Sequence, residues 1–210
     1  MRECIVTVMD LPDIRELTNN QVQKGQSPAT KFMLAMHRFA SNKLVTLLQE
    51  HDNAYVWTDS ILLLAYLDNP QNTYERVIKE ADRIKAELDK SLAKKGYSRR
   101  SFAVAVKGQT FPNSFEVQPR VVFVQASGYA MANCFEIPKL FRFPARDATD
   151  SKTHKVSYEW YLDSRIYRKV ENSKGISQPQ AEREIQLLPK RRKRWVHAYA
   201  GYLWPTVNGQ

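Results

Sequence analysis

The chain has little cysteine: Cys4 and Cys134 are the only two in 210 residues. Each sits inside an apolar segment, so both read as small buried core residues, and a disulfide framework is not expected. That usage fits a reducing compartment, and a cytoplasmic location is the expectation. Long apolar runs are missing too. Nothing approaches the roughly 20 residues of a membrane span, and Met-Arg-Glu-Cys at the start carries no signal-like apolar region, so no membrane partner is expected. His37, His51, His154 and His197 have no spacing suited to zinc. Neither standard Gly-rich phosphate loop occurs, nor a Gly-x-Ser-x-Gly elbow.

Hydrophobic residues make up 43% and charged residues 26%, the balance of a folded globular protein with one well-buried core. The formal charge of +10 is unevenly placed. From Ile166 onward there are nine Lys or Arg and three Glu, so +6 of the +10 falls in that stretch. The division expected is therefore a domain over 1–165 and a basic, aromatic-containing C-terminal extension over 166–210.

Residues 3–9, Glu-Cys-Ile-Val-Thr-Val-Met, are apolar and β-branched and stop at Asp10-Leu11-Pro12, which reads as a buried strand. After a polar loop, Ser27-Pro28 opens a helix to about Glu50, with Met33, Met36, Ala40, Leu44, Leu47 and Leu48 at helical spacing. Two apolar runs around Thr58-Asp59-Ser60 form a hairpin. A second helix starts at Asn72, with Glu75 as its capping-box partner, and stops at Gly96. Ser101 to Val106 is a fourth strand ending at Lys107-Gly108, and 109–119 reads as a loop with Pro112 and Pro119. A fifth strand over 120–125 precedes a short helix from about Gly128 to Ile137, closed by Pro138. Residues 155–162 are a sixth strand, 173–180 a linker and 181–188 a short helix. The first four strands and two helices give an α+β fold: a ferredoxin-like split β-α-β-β-α-β sheet with both helices on one face.

In such a sheet the first strand lies beside the hairpin. Asp10, ending that strand, and Asp59, at the hairpin tip, can then converge at one edge and hold Mg²⁺ or Mn²⁺ and, through it, phosphates. The plainer reading is a strand terminator and a turn residue. Lys107 can approach a phosphate, or simply be solvated in a turn. Trp57, beside Asp59, can stack on a base, or pack.

These segments resemble the class III nucleotidyl cyclases over roughly residues 3–140. That family has a strand ending in an Asp-Ile-x-Gly-Phe-Thr-like motif, which Cys4-Ile-Val-Thr-Val-Met-Asp10-Leu11 resembles. Its hairpin carries Gly-Asp and a small or apolar residue, as Trp57-Thr-Asp59-Ser-Ile-Leu63 does in part. Asp13-Ile-Arg-Glu-Leu-Thr18 matches the first motif's letters better but lies past Pro12, so Asp13 is the second candidate. Val124-Gln-Ala-Ser-Gly128-Tyr-Ala-Met-Ala132-Asn-Cys-Phe-Glu136 is similar to the family's Gly-x-x-Val-Asn-x-Ala-x-Arg segment. The resemblance implies a nucleoside triphosphate held with divalent metal at Asp10 and Asp59, nucleotide contacts at Trp57, Lys107 and Gly128, and a homodimer or heterodimer. It also implies a site shared between two domains, one giving the metal aspartates and the other an Asn and an Arg. Here those last two positions hold Ala132 and Glu136, and Asn133 is one residue off, about 100° around a helix. Glutamate reverses the charge that would stabilise the triphosphate in the transition state. The chain is then expected to be either a divergent cyclase or a degenerate nucleotide-binding homologue.

A different reading starts from Lys190, Arg191, Arg192, Lys193, Arg194 and Trp195. A basic run with an adjacent aromatic suits a non-enzymatic module that binds nucleic acid, or a protein, through its C-terminus.

Overall fold

A computed structural model of the protein describes residues 2–12, 28–56, 59–97, 99–118, 121–142, 158–188 and 192–205. Strand β1, Arg2–Asp10, is an interior strand of the sheet, buried along most of its length. It pairs antiparallel with β3, Ser60–Tyr66, on one side and with β4, Phe102–Gln118, on the other. The strand β2, Asn53–Val56, continues the sheet beyond β3. Beyond β4 come β6 (Trp160–Asp163), β8 (Arg192–Tyr199) and β7 (Ala181–Leu187), in the order β2-β3-β1-β4-β6-β8-β7. Among the described residues only β4 and β6 run parallel, and β5, Val121–Ser127, pairs with the far part of β4 off this path.

Side chains alternate between two faces of the sheet. Ile5, Met9, Ile61, Leu63, Ala65, Ala103 and Ala105 point to one. There they meet α1 (Pro28–Phe39, continued by a π-helical turn over Ala40–Leu44 and a last turn, Val45–Leu47) and α2 (Tyr74–Ala93). Ile166 and Val170 of α4, Ser164–Val170, join the same cluster. Cys4, Val6, Val8, Leu62, Leu64, Val104 and Val106 face the other way, onto Ala130, Cys134 and Ile137 of α3, Tyr129–Arg142. Helices on both faces explain why β1 and β3 read as unbroken apolar runs rather than alternating ones.

Four local expectations need correction. The N-cap of the second helix is one residue later than Asn72, whose side chain is turned toward β3 and the preceding loop, its NH2 donating to Asp52 Oδ2 (2.7 Å) and the Tyr66 carbonyl (2.9 Å). Thr73 caps the helix instead, its hydroxyl accepting from the Arg76 amide at 3.4 Å. The loop expected over 109–119 is the continuation of β4, paired through Gln118 with β5. Pro112 sits in that strand beyond the end of its pairing with β1, where a missing donor costs least. Helix α3 runs through Pro138 to Arg142, since Ile137 is fully buried against the sheet and packing outweighs the local penalty. The helix expected over 181–188 is the strand β7: Glu182, Glu184 and Gln186 alternate with Ile185 and Leu187, a period of two.

The stretch after Ile166 is also built into the main sheet rather than hanging from it. β8 pairs with β6 from Trp160↔Tyr199 to Asp163↔Val196, and Tyr199 and Trp204 are buried in the α1/α2 core. Asp163, wholly buried, accepts from Arg165 (2.8 Å) and Arg194 (3.3 Å) and caps α4. Lys85, equally buried, is satisfied by Asp89 (2.9 Å) and Glu159 (3.1 Å), while Tyr202 donates to Asp89 at 3.1 Å. Buried charges are tolerable because each is paired and hydrogen-bonded.

Asp82 on α2 accepts from the Leu203 and Trp204 amides at 3.1 and 2.9 Å and so holds the last described residues to the core. Burial pushes its carboxyl up, against the pull of those two amides. Removing the acceptor strands two buried donors. Asp82→Ala should therefore cost about 3 kcal/mol in urea unfolding, and Asp82→Asn, which keeps an acceptor for one amide but sets an NH2 against the other, should recover only part of that loss.

Candidate metal and nucleotide site

The register of β1 against β3 sets Asp10 opposite Ser60, so Asp59 follows directly beside the end of β1. The two are joined through Leu11. Its amide donates to the Asp10 carboxylate (Oδ1, 2.8 Å) and to the Asp59 carbonyl (3.3 Å), while the Leu11 side chain is buried. Asp10 and Asp59 are both half-buried, at the same end of the sheet. Among the described residues, no group of three or more His, Cys, Asp or Glu is arranged to hold a metal. Two carboxylates at a strand end remain a fitting donor pair for a hard cation that keeps waters and takes its other ligands from phosphate.

Beside this pair stands Tyr97, buried, its hydroxyl donating to the Pro12 carbonyl at 2.8 Å and its ring edge-on to Phe32 of α1 at 4.8 Å. Burial and the Asp10 carboxylate hold its phenol well above the usual range. No motif in the sequence marks this tyrosine. Its only signal is its place just after the helix-stopping Gly96.

The other candidates are scattered. Asp13, Trp57, Lys190 and Arg191 lie outside the described residues. Lys107 is not at the end of its strand. It lies opposite Ile5, while Asp10 lies opposite Phe102, a separation of five residues or about 17 Å along the sheet. Its ammonium meets Glu3 at 3.3 Å and bonds Tyr74, which raises its pKa. Gly128, between β5 and α3, has φ +152°, and a Cβ there would stand 2.5 Å from the Gln109 carbonyl, so close backbone approach accounts for the glycine.

On α3, Ala132 and Glu136 lie on the less buried side, and Glu136 pairs with Lys139 at 2.8 Å. Asn133 points the other way. Its amide donates to the Leu188 carbonyl and its carbonyl accepts from the Leu188 amide, both at 2.9 Å. It clasps α3 to the end of β7 and is spent on structure. In the basic run, strand alternation divides the side chains. Arg194 shares a face with Val196 and binds Asp163, whereas Lys193 and Trp195 project from the opposite face, where Lys193 meets Glu184 at 3.1 Å.

No protein-family model matches the chain, and no curated protein matches it in sequence. Solved structures do. The guanylyl cyclase Cya2 superposes with a TM-score of 0.58 at 11% identity, over 96% of this chain and 93% of that one. The adenylyl cyclase CyaB from P. aeruginosa gives 0.58 at 8% identity, over 94% and 93%. The catalytic core of a rhodopsin-guanylyl cyclase with converted specificity, in complex with ATPαS, gives 0.56 at 11% identity, over 94% and 95%. The chain therefore has the fold of the adenylyl and guanylyl cyclase catalytic domains. It is cyclase-like in fold, and the β1–β3 end of its sheet carries the acidic pair.

Asn133→Ala removes both bonds to Leu188 in a buried setting, so thermal or urea unfolding should show a loss of about 2 kcal/mol. Ala132→Asn, on the less buried side of the helix, should cost under about 1 kcal/mol.

Proposed function

We propose that this protein binds a nucleoside triphosphate with Mg²⁺ or Mn²⁺ at Asp10 and Asp59, as the metal-bearing half of a two-subunit cyclase-like site. The observation that carries this is the β1–β3 register, which brings the two aspartates to one sheet end with a shared Leu11 amide between them. Its support is the cyclase-like fold over nearly the whole chain. The order β2-β3-β1-β4 within the sheet agrees with a split β-α-β-β-α-β arrangement. Free Cys4 and Cys134 fit the cytoplasm, and among the described residues no helix is long and apolar enough to cross a membrane.

The chemistry divides between the two subunits. Metal at the acidic pair would neutralise triphosphate charge and lower the pKa of the attacking hydroxyl. The complementary half would supply hydrogen bonds and positive charge at the transition state. In a homodimer of this chain that half offers Ala132 and Glu136, so nucleotide is held without efficient turnover. A partner chain providing Asn and Arg at those positions would complete the reaction in a heterodimer.

Melting the protein with ATP, GTP, CTP or UTP, each with and without Mn²⁺, tests the reading. One nucleotide should raise Tm in a Mn²⁺-dependent way, since a ligand of the native state stabilises by mass action. Asp10→Asn and Asp59→Asn should each abolish the rise without lowering the metal-free Tm by more than a few degrees. No shift with any nucleotide would sink the proposal.

A further inference from the structure

Helix α2 ends in a motif that determines where Tyr97 goes. Gly96, at φ +85°, donates its amide to the Ala93 carbonyl (2.9 Å), and Tyr97 donates its own to the Leu92 carbonyl (3.2 Å). These are the paired bonds of a helix closed by a left-handed glycine. The reversal turns the Tyr97 ring back beneath the sheet end, onto Phe32 of α1, with its hydroxyl on the Pro12 carbonyl. Pro12 has no amide to donate and follows directly on Leu11, whose amide bridges Asp10 and Asp59. One buried phenol thus ties the stop of α2, the body of α1 and the chain leaving β1.

We propose that Tyr97 is a positioning residue for the acidic pair: by holding the Pro12 carbonyl it keeps the Leu11 amide on Asp10 and Asp59. This rests on the metal-site reading for its functional consequence, though not for its structural one. Without the hydroxyl the Asp10–Pro12 segment loses its tie to α2, and the Leu11 amide loses its fixed place between the Asp10 carboxylate and the Asp59 carbonyl. A cation bound by only two protein carboxylates depends strongly on their being pre-set, because each degree of freedom must otherwise be frozen on binding.

The test is amide hydrogen exchange by NMR on the full chain, with Mn²⁺ affinity measured on the same samples. Tyr97→Phe keeps the ring on Phe32 and removes only the hydroxyl. Exchange at Leu11 should rise at least about tenfold, while Val6, in the middle of β1, stays unchanged. Gly96→Ala should shift Leu11 the same way, since a Cβ there meets nothing within 4 Å and the φ alone displaces Tyr97. Mn²⁺ binding should weaken several-fold in both variants. Unchanged Leu11 exchange in Tyr97→Phe would overturn the proposal, and so would an equal rise at Leu11 and Val6, which reports general loosening. If the unmodified chain binds no Mn²⁺, the metal-site reading falls, and Leu11 exchange still decides the role of Tyr97.

Discussion

The arrangement depends on the burial of β1 on both faces. From Cys4 to Met9 every residue is inside, odd positions against α1 and α2 and even positions against α3. A slip of one residue would exchange those two sets and move Thr7 with them, so the register against β3 and β4 is strongly specified. The place of Asp10 follows from that register, as does its closeness to Asp59. Core packing thus brings the acidic pair together, and the Leu11 amide then links its two members.

The C-terminal part of the chain completes the same sheet at a cost in buried charge. Asp163, Lys85 and Asp82 all lie inside, and each is compensated by partners from distant sequence: Arg194, Glu159 and the amides of Leu203 and Trp204. Such contacts weld α2, β6 and β8 together. They also explain why the two last tryptophans differ. Trp204 is anchored by its backbone to Asp82 and packs in the core, while Trp195 projects half-exposed from β8. A run of cations beside an aromatic is contiguous in sequence, yet in a strand its side chains part to opposite faces, and two of them meet carboxylates.

Much of the fold was legible. Strand β1, the hairpin β2–β3, α1 and α2 all announce themselves by apolar period, caps and turn residues. The misreadings share a cause. Pro112 and Pro138 are strong local punctuation, but sheet pairing and burial of Ile137 override them. Residues 181–188 carry polar residues at every second position, a pattern that charge and short length disguised as a helix. Among site residues, Asp10 and Asp59 were readable as strand-end acids. Lys107 was misplaced because the apolar run stops near it while the strand does not.

What the sequence by itself determined was β1, the β2–β3 hairpin, the two long helices, the α+β class and the place of two aspartates at strand ends, since periodicity, capping and turn chemistry act within a few residues. What only the tertiary structure decided was who meets whom. Asn133 became a clasp on Leu188, Tyr97 a tie to Pro12 and Arg194 a partner of Asp163, across 55, 85 and 31 residues respectively. Contacts of that reach leave no local signature, because they are set by the packing of whole layers rather than by the residues flanking each partner.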